Sequence, residues 1–256
     1  MIRAEIRKYI TTPLFWILSG IGIALLLIQS VVFFAAHQVG LLSLTALDYL
    51  LGVMNFYLTY LLPFLFPLFA AYTYVSELQW RTLMFPFFDG TSRRAWLAGK
   101  AILIGICLLL FTGSYLLLAI LIGGSLFSFD EIYLENLRLS PGAALLRTAM
   151  GTLWMDFILY PFGLLALLLS IFSRNLLVGG LGSGLTFFAG LMFQQSPSNP
   201  FRPLFTVAQQ LVRLSQLTDA SFLYALGQAT LLNLGLVVLL AVALSFAFQK
   251  VDIVLE

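Results

Sequence analysis

Few residues in this 256-residue chain are equipped for catalysis, and their spacing removes most of what remains. His37 is the single histidine, so neither a histidine-rich metal site nor the H-E-x-x-H pair of a zinc hydrolase can be built. Cys107 is the single cysteine and lies inside an apolar run. It forms no intrachain disulfide and reads as a packed helix residue. Ser183-Gly184 is the nearest approach to the G-x-S-G of an intramembrane serine protease, but Leu181 stands in place of the first glycine. Gly99-Lys100 supplies only the central pair of a phosphate-binding loop. Ala101 replaces the required Ser or Thr, and Arg94 replaces the first glycine. The glycine-rich "VGGLGSGLTFFAG", residues 178–190, follows no strand and lies in a membrane run, so it is no dinucleotide fingerprint. No catalytic residue, metal site or nucleotide motor is expected in this chain.

The remaining polar or shape-changing residues suggest mechanics. Asp156 is the most membrane-embedded acid, and an intramembrane charge points to function. If its span starts near Gly151, however, it lies close to the membrane edge, either hydrated or paired with Arg147. Pro63 and Pro67 each remove a helical donor four residues apart, giving either a hinge on a substrate path or a static kink. Gly180 and Gly184 form a G-x-x-x-G pair that lets helices approach closely, or else loosens one. Glu77 and Arg81 have the i, i+4 spacing of a helical ion pair. After them, Leu83, Phe85, Phe87 and Phe88 form an apolar stretch. A turn at Asp89-Gly90, a candidate N-cap at Ser92, and the basic Arg93 and Arg94 come next.

The elements that position these residues are membrane helices. The chain is 61% hydrophobic and 9% charged, with mean hydropathy +1.02. Soluble domains carry about 25% charged residues. A net charge of +2 gives no case for nucleic-acid binding. Six apolar runs reach spanning length, at about 13–36, 51–75, 101–127, 151–172, 176–195 and 222–248. The first is too long for a signal-peptide core. The expected fold is thus an all-α integral membrane protein, one transmembrane domain over residues 1–256 with no nucleotide-binding domain. Residues 2–12 place Ile2, Ile6 and Tyr9 on one face, as an amphipathic interfacial helix or a basic flank. Residues 203–217 repeat Leu204, Val207, Leu211, Leu214 and Leu217 at helical spacing, as an amphipathic helix on the opposite leaflet.

Lys and Arg set the orientation. Arg3, Arg7, Lys8, Arg81, Arg93, Arg94, Lys100, Arg174 and Lys250 fall on one side, and Arg138, Arg147, Arg202 and Arg213 on the other. Both termini are expected in the cytoplasm of a cell, bacterial in kind, with the chain multi-pass in the cell membrane.

The segment "VSELQWRTLMFPFFDGTSRRAWLAGK" resembles the corresponding part of ABC-2 type ABC transporter permease subunits. The carriers are Glu77 after span two, Thr82-Leu83, a short apolar helix, Ser92-Arg93-Arg94, and Gly99-Lys100 opening span three. The amphipathic N-terminal segment, six spans and the outer helix between spans five and six agree with it over the whole chain. The aromatic "FPFF" departs from the smaller aliphatics many members carry, which bears on which ATPase would fit. The resemblance implies that residues 77–94 form a coupling helix and turn that dock into a separate ATPase subunit. ATP and Mg would be bound by that partner. It also implies a second permease copy or paralogue, in a homo- or heterodimer.

The expected function is export of a peptide, antibiotic or other amphipathic substrate, driven by the partner ATPase, with membrane lipid around it and no enzyme activity in this chain. Short outer loops fit the compact subgroup of exporters and immunity permeases. On the residues alone, the apolar face of segment 83–88 must bury against either protein or lipid. The alternatives are an ATP-independent channel or secondary transporter, or an intramembrane enzyme. The first of these usually gathers several polar groups at the midplane, of which the sequence offers almost none.

Overall fold

The computed structural model describes residues 7–9, 11–41, 44–80, 82, 87, 90–130, 132–134, 137–193 and 220–250, without side chains for 132–134, 137–139, 220–223, 225 and 250. Six helices cover most of them: α1 (Pro13–Gln38), α2 (Ala46–Gln79), α3 (Arg93–Leu126), α4 (Pro141–Ser173), α5 (Leu176–Met192) and α6 (Ala220–Lys250). Among the described residues, α1, α2, α3, α4 and α6 are long and apolar enough to cross a bilayer. With the composition, this makes the chain a helical membrane protein. The fifth helix has 17 residues. At 1.5 Å per residue it is roughly 26 Å long, at the short limit for a span.

Helices α2, α3 and α4 begin well before the apolar runs that mark them in the sequence, because their starts are set by polar caps. Thr45 accepts from the Asp48 amide at 3.2 Å while Asp48 accepts from the Thr45 amide at 3.1 Å, a reciprocal capping box. Ser92 accepts from the Ala95 amide at 3.2 Å and starts α3. Ser140 caps α4, whose first residue is Pro141, a position that needs no amide donor. Arg174, with φ 53°, ends α4 in the left-handed region. Asn175 then caps α5 by accepting from the Leu177 amide at 2.8 Å. A short antiparallel hairpin, β1 (Ile132–Leu134) and β2 (Leu137–Leu139), joins α3 to α4 with Tyr133 opposite Arg138. Apolar runs give no sign of such an element, because three-residue strands leave no usable hydrophobic period.

Helix α4 is the axis of the bundle, packed against α2, α3, α5 and α6. Two thirds (67%) of its apolar window is buried, against 22% for α1 and 28% for α6. The outer helices turn Trp16, Ile17, Val31 and Val32 of α1, and Leu231, Val238 and Leu239 of α6, outward. Apolar faces of that size belong against lipid or another chain. The expected N-terminal amphipathic helix falls largely, and the one at 203–217 wholly, outside the described residues.

Candidate functional site

Two polar assemblies stand out in this apolar bundle. The first is at the end where α2 stops and α3 starts. Glu77 is in the last turn of α2, where the helix dipole disfavours a negative charge. It is 1% exposed. Two ammonium groups compensate: Lys100 Nζ donates to Glu77 Oε1 at 2.6 Å and Lys8 Nζ donates to the same oxygen at 2.7 Å. Lys100 is as buried as Glu77, whereas Lys8 is 30% exposed. The Tyr9 hydroxyl has one hydrogen. The 2.6 Å contact to the Thr73 carbonyl takes it, and the same oxygen accepts from Lys100 at 2.8 Å. The Lys100 ammonium also lies 4.7 Å from the Tyr9 ring centre and 5.2 Å from that of Trp96. Glu77 Oε2 is buried with no hydrogen-bond partner among the described residues.

Trp96 extends this assembly to α6. Its ring stacks on Phe248 with centroids 4.7 Å apart and planes 6° from parallel. Tyr74 meets both rings edge-on. Arg93 Nη1 donates to the carbonyls of Phe248 and Gln249 at 3.3 and 3.1 Å, in the last described turn of α6. Phe87 is half-buried, its ring 6.4 Å from that of Trp96 and 6.2 Å from that of Phe248. The N-terminal segment, the end of α2, the start of α3 and the end of α6 are therefore joined around one carboxylate and one indole.

The partners of Glu77 come from far along the chain: Lys8 is 69 positions before it and Lys100 is 23 after it. The expected pairing with Arg81 lies outside the described residues, as do Leu83, Phe85 and Phe88. Arg94 is exposed beside α6.

The second assembly is mid-bundle. Asp156 is the sixteenth residue of the 33-residue α4, not a residue near its end. The position near a membrane edge followed from a span start at Gly151, but the helix begins ten residues earlier, behind the Ser140 cap. Asp156 is 3% exposed. Arg147 lies more than two turns earlier on the same helix, roughly 13 Å along its axis, which is out of hydrogen-bonding range. Instead Asp156 Oδ2 accepts from Thr112 Oγ1 on α3 at 2.6 Å, and Oδ1 has no partner among the described residues. Tyr57 of α2 lies within electrostatic reach of Asp156 and stacks on Tyr115 of α3 at 3.6 Å. The Tyr115 hydroxyl is buried, also without a partner among the described residues. The middle of the bundle is thus more polar than the sequence suggested, because residues spread over α2, α3 and α4 converge only in the fold.

Helix α2 is irregular beside this group. Tyr57–Leu61 forms a π turn, in which the Leu62 amide donates to the Tyr57 carbonyl. Such turns cluster at functional sites. Pro63 follows at once, and Pro67 lies inside the helix. Gly180 and Gly184 face α2: an added Cβ would come within 2.7 Å of Leu68 Cα at Gly180 and 2.9 Å of the Pro63 carbonyl oxygen at Gly184. Ser183, between them, donates to the Phe162 carbonyl at 2.5 Å, so its hydroxyl is spent on holding α5 to α4. His37 sits at the opposite end of the bundle from Glu77, where its Nδ1 accepts from the Leu44 amide and its ring meets Phe127. Cys107 is buried in α3. Among the described residues no group of histidine, cysteine and acid could hold a metal ion. Comparison with family models, curated proteins and solved structures gave no match.

Proposed function

We propose that this chain is the membrane-spanning permease subunit of an ABC-2 type exporter, acting with separate ATPase subunits on a peptide, antibiotic or other amphipathic substrate. One observation carries the reading: both flanks of segment 80–92 are clamped to the bundle by the Glu77–Lys100 bridge and the Trp96–Phe248 stack. A push on that segment reaches α2 and α3 together, and through Arg93 and Phe87 it reaches α6. In this reading α5 is one of six spans, the termini are cytoplasmic, and the partner ATPase docks on the segment's apolar residues. Because Phe87 already packs on the bundle, Leu83, Phe85 and Phe88 carry the docking face. Two copies, or one with a paralogue, line the path.

The test is co-purification of the ATPase with wild type and with Phe85→Ala/Phe88→Ala, scored against the permease's own yield. Loss of about 2 kcal/mol or more of docking energy is expected if both are interface anchors. Undiminished capture together with undiminished transport sinks the docking role.

The Asp156–Thr112 contact, with Asp156 Oδ1 left without a described partner, favours a second reading, an ATP-independent secondary transporter. Uptake or efflux in proteoliposomes separates the two. Transport driven by an ion gradient without ATP, and abolished in Asp156→Asn, supports the second. Transport that requires the ATPase and ATP supports the first.

A further inference from the structure

Adjacent arginines at the start of α3 have separate surroundings. Arg93 is used on the α6 carbonyls. Arg94 faces a groove of ≈ 580 Å³ between the start of α3 and the outer face of α6, lined by Val238, Ala241, Val242, Ser245, Phe246 and Gln249. Among the described residues no carboxylate pairs with Arg94. From Gln249 to Val238 the groove follows twelve residues of α6, a rise of roughly 16 Å. That is about half of the ~30 Å hydrocarbon thickness, one leaflet.

We propose that this groove binds one anionic phospholipid, with its phosphate on Arg94 beside Gln249 and an acyl chain along Val238, Val242 and Phe246. Three features select that occupant. The groove is charged at one end only, at the bundle end that holds Arg93 and Lys100. Its walls below that end are apolar apart from Ser245, whose hydroxyl donates to the Ala241 carbonyl, and they open sideways, where an acyl chain can enter. Its length of roughly 16 Å matches about half of the ~30 Å hydrocarbon, the reach of a single lipid. A second copy packed on the same face would bring its own Arg94 to the same depth, like charge against like charge. The inference is independent of the transport reading, since it concerns only α3 and α6.

The test is native mass spectrometry of the purified full-length chain in detergent. It is offered equal amounts of phosphatidylglycerol and phosphatidylcholine with the same acyl chains. Wild type is expected to retain phosphatidylglycerol in preference. Arg94→Gln should lower that retention about five-fold, the weight of one arginine near an anionic surface, while Arg94→Lys keeps most of it. Arg147→Gln removes one charge elsewhere and should change nothing. Ala241→Trp, which fills the groove, should release the lipid. Equal retention of the two lipids, or Arg94→Gln behaving as Arg147→Gln does, overturns the proposal. So does displacement by millimolar inorganic phosphate, which would mark a bare anion contact. A dimer by light scattering that Ala241→Trp dissociates also overturns it, since a second copy then covers the face.

Discussion

Asn233 of α6 donates an Nδ2 hydrogen to the Phe157 carbonyl of α4 at 2.6 Å. Four residues beyond Phe157 stands Pro161, which has no amide hydrogen to offer that carbonyl. In hydrocarbon no water can replace the missing donor. A side chain from a different helix fills it, and Asn233 is fully buried where it does so. The proline break in α4 and the polar residue in α6 are two halves of one contact.

This relationship predicts a coupled pair. Asn233→Leu should cost about 1 kcal/mol, the scale of interhelical hydrogen bonds in membranes. In a Pro161→Ala background the newly gained backbone amide can serve the Phe157 carbonyl, so the same change should cost less than half as much. A double-mutant cycle on unfolding in mixed micelles measures the difference. Equal costs in both backgrounds would mean that Asn233 does not compensate for Pro161.

The carboxylate cluster predicts an asymmetry between its two lysines. Glu77→Ala removes the buried carboxylate that the two ammonium groups share, at a loss of about 3–5 kcal/mol. Lys8→Ala should cost under about 1 kcal/mol, because Lys8 is 30% exposed and screened. Glu77→Leu combined with Lys100→Met should recover much of the stability. Thermal melting in detergent ranks them. A Glu77→Ala protein as stable as Lys8→Ala would show that the cluster does not hold this end together.

Glycine substitutions should divide by what each Cβ meets. Gly180→Ala and Gly184→Ala push into the α2 backbone and should destabilise by about 1–3 kcal/mol. Gly113→Ala and Gly227→Ala meet nothing within 4 Å and should be neutral or stabilising. Chemical denaturation of the four variants in mixed micelles makes the comparison. Uniform effects would remove the close α2–α5 approach.

Insertion direction can be read with single cysteines in a Cys107→Ala background. Gln38 and Ser92 occupy opposite ends of the bundle. With cytoplasmic termini, an impermeant thiol reagent should label a cysteine at the first position and not at the second in intact cells. Labelling at position 92 alone would invert the topology and move segment 80–92 away from any cytoplasmic ATPase.

Composition and hydropathy sufficed to establish the solvent of this protein. Long apolar runs with few charges admit helices that satisfy their own backbone, and Ser92 is legible as a helix start, whereas the caps at Thr45 and Ser140 emerged only in the structure. Hydropathy alone sets the starts of α2, α3 and α4 too late, since their caps are polar and their first turns lie outside the long apolar runs. That displacement put Asp156 at an edge when it is at the middle of α4. Which charges and gaps meet is a property of the packed bundle. Glu77 and Lys8 are separated by 69 residues, and Asn233 and Phe157 by 76. No local spacing encodes such pairs, because in a bundle the partner of a buried polar atom is whichever helix packs against it. The same holds for Gly180 and Gly184: the motif announces a close approach, and the packing of α5 on α2 chooses the helix approached.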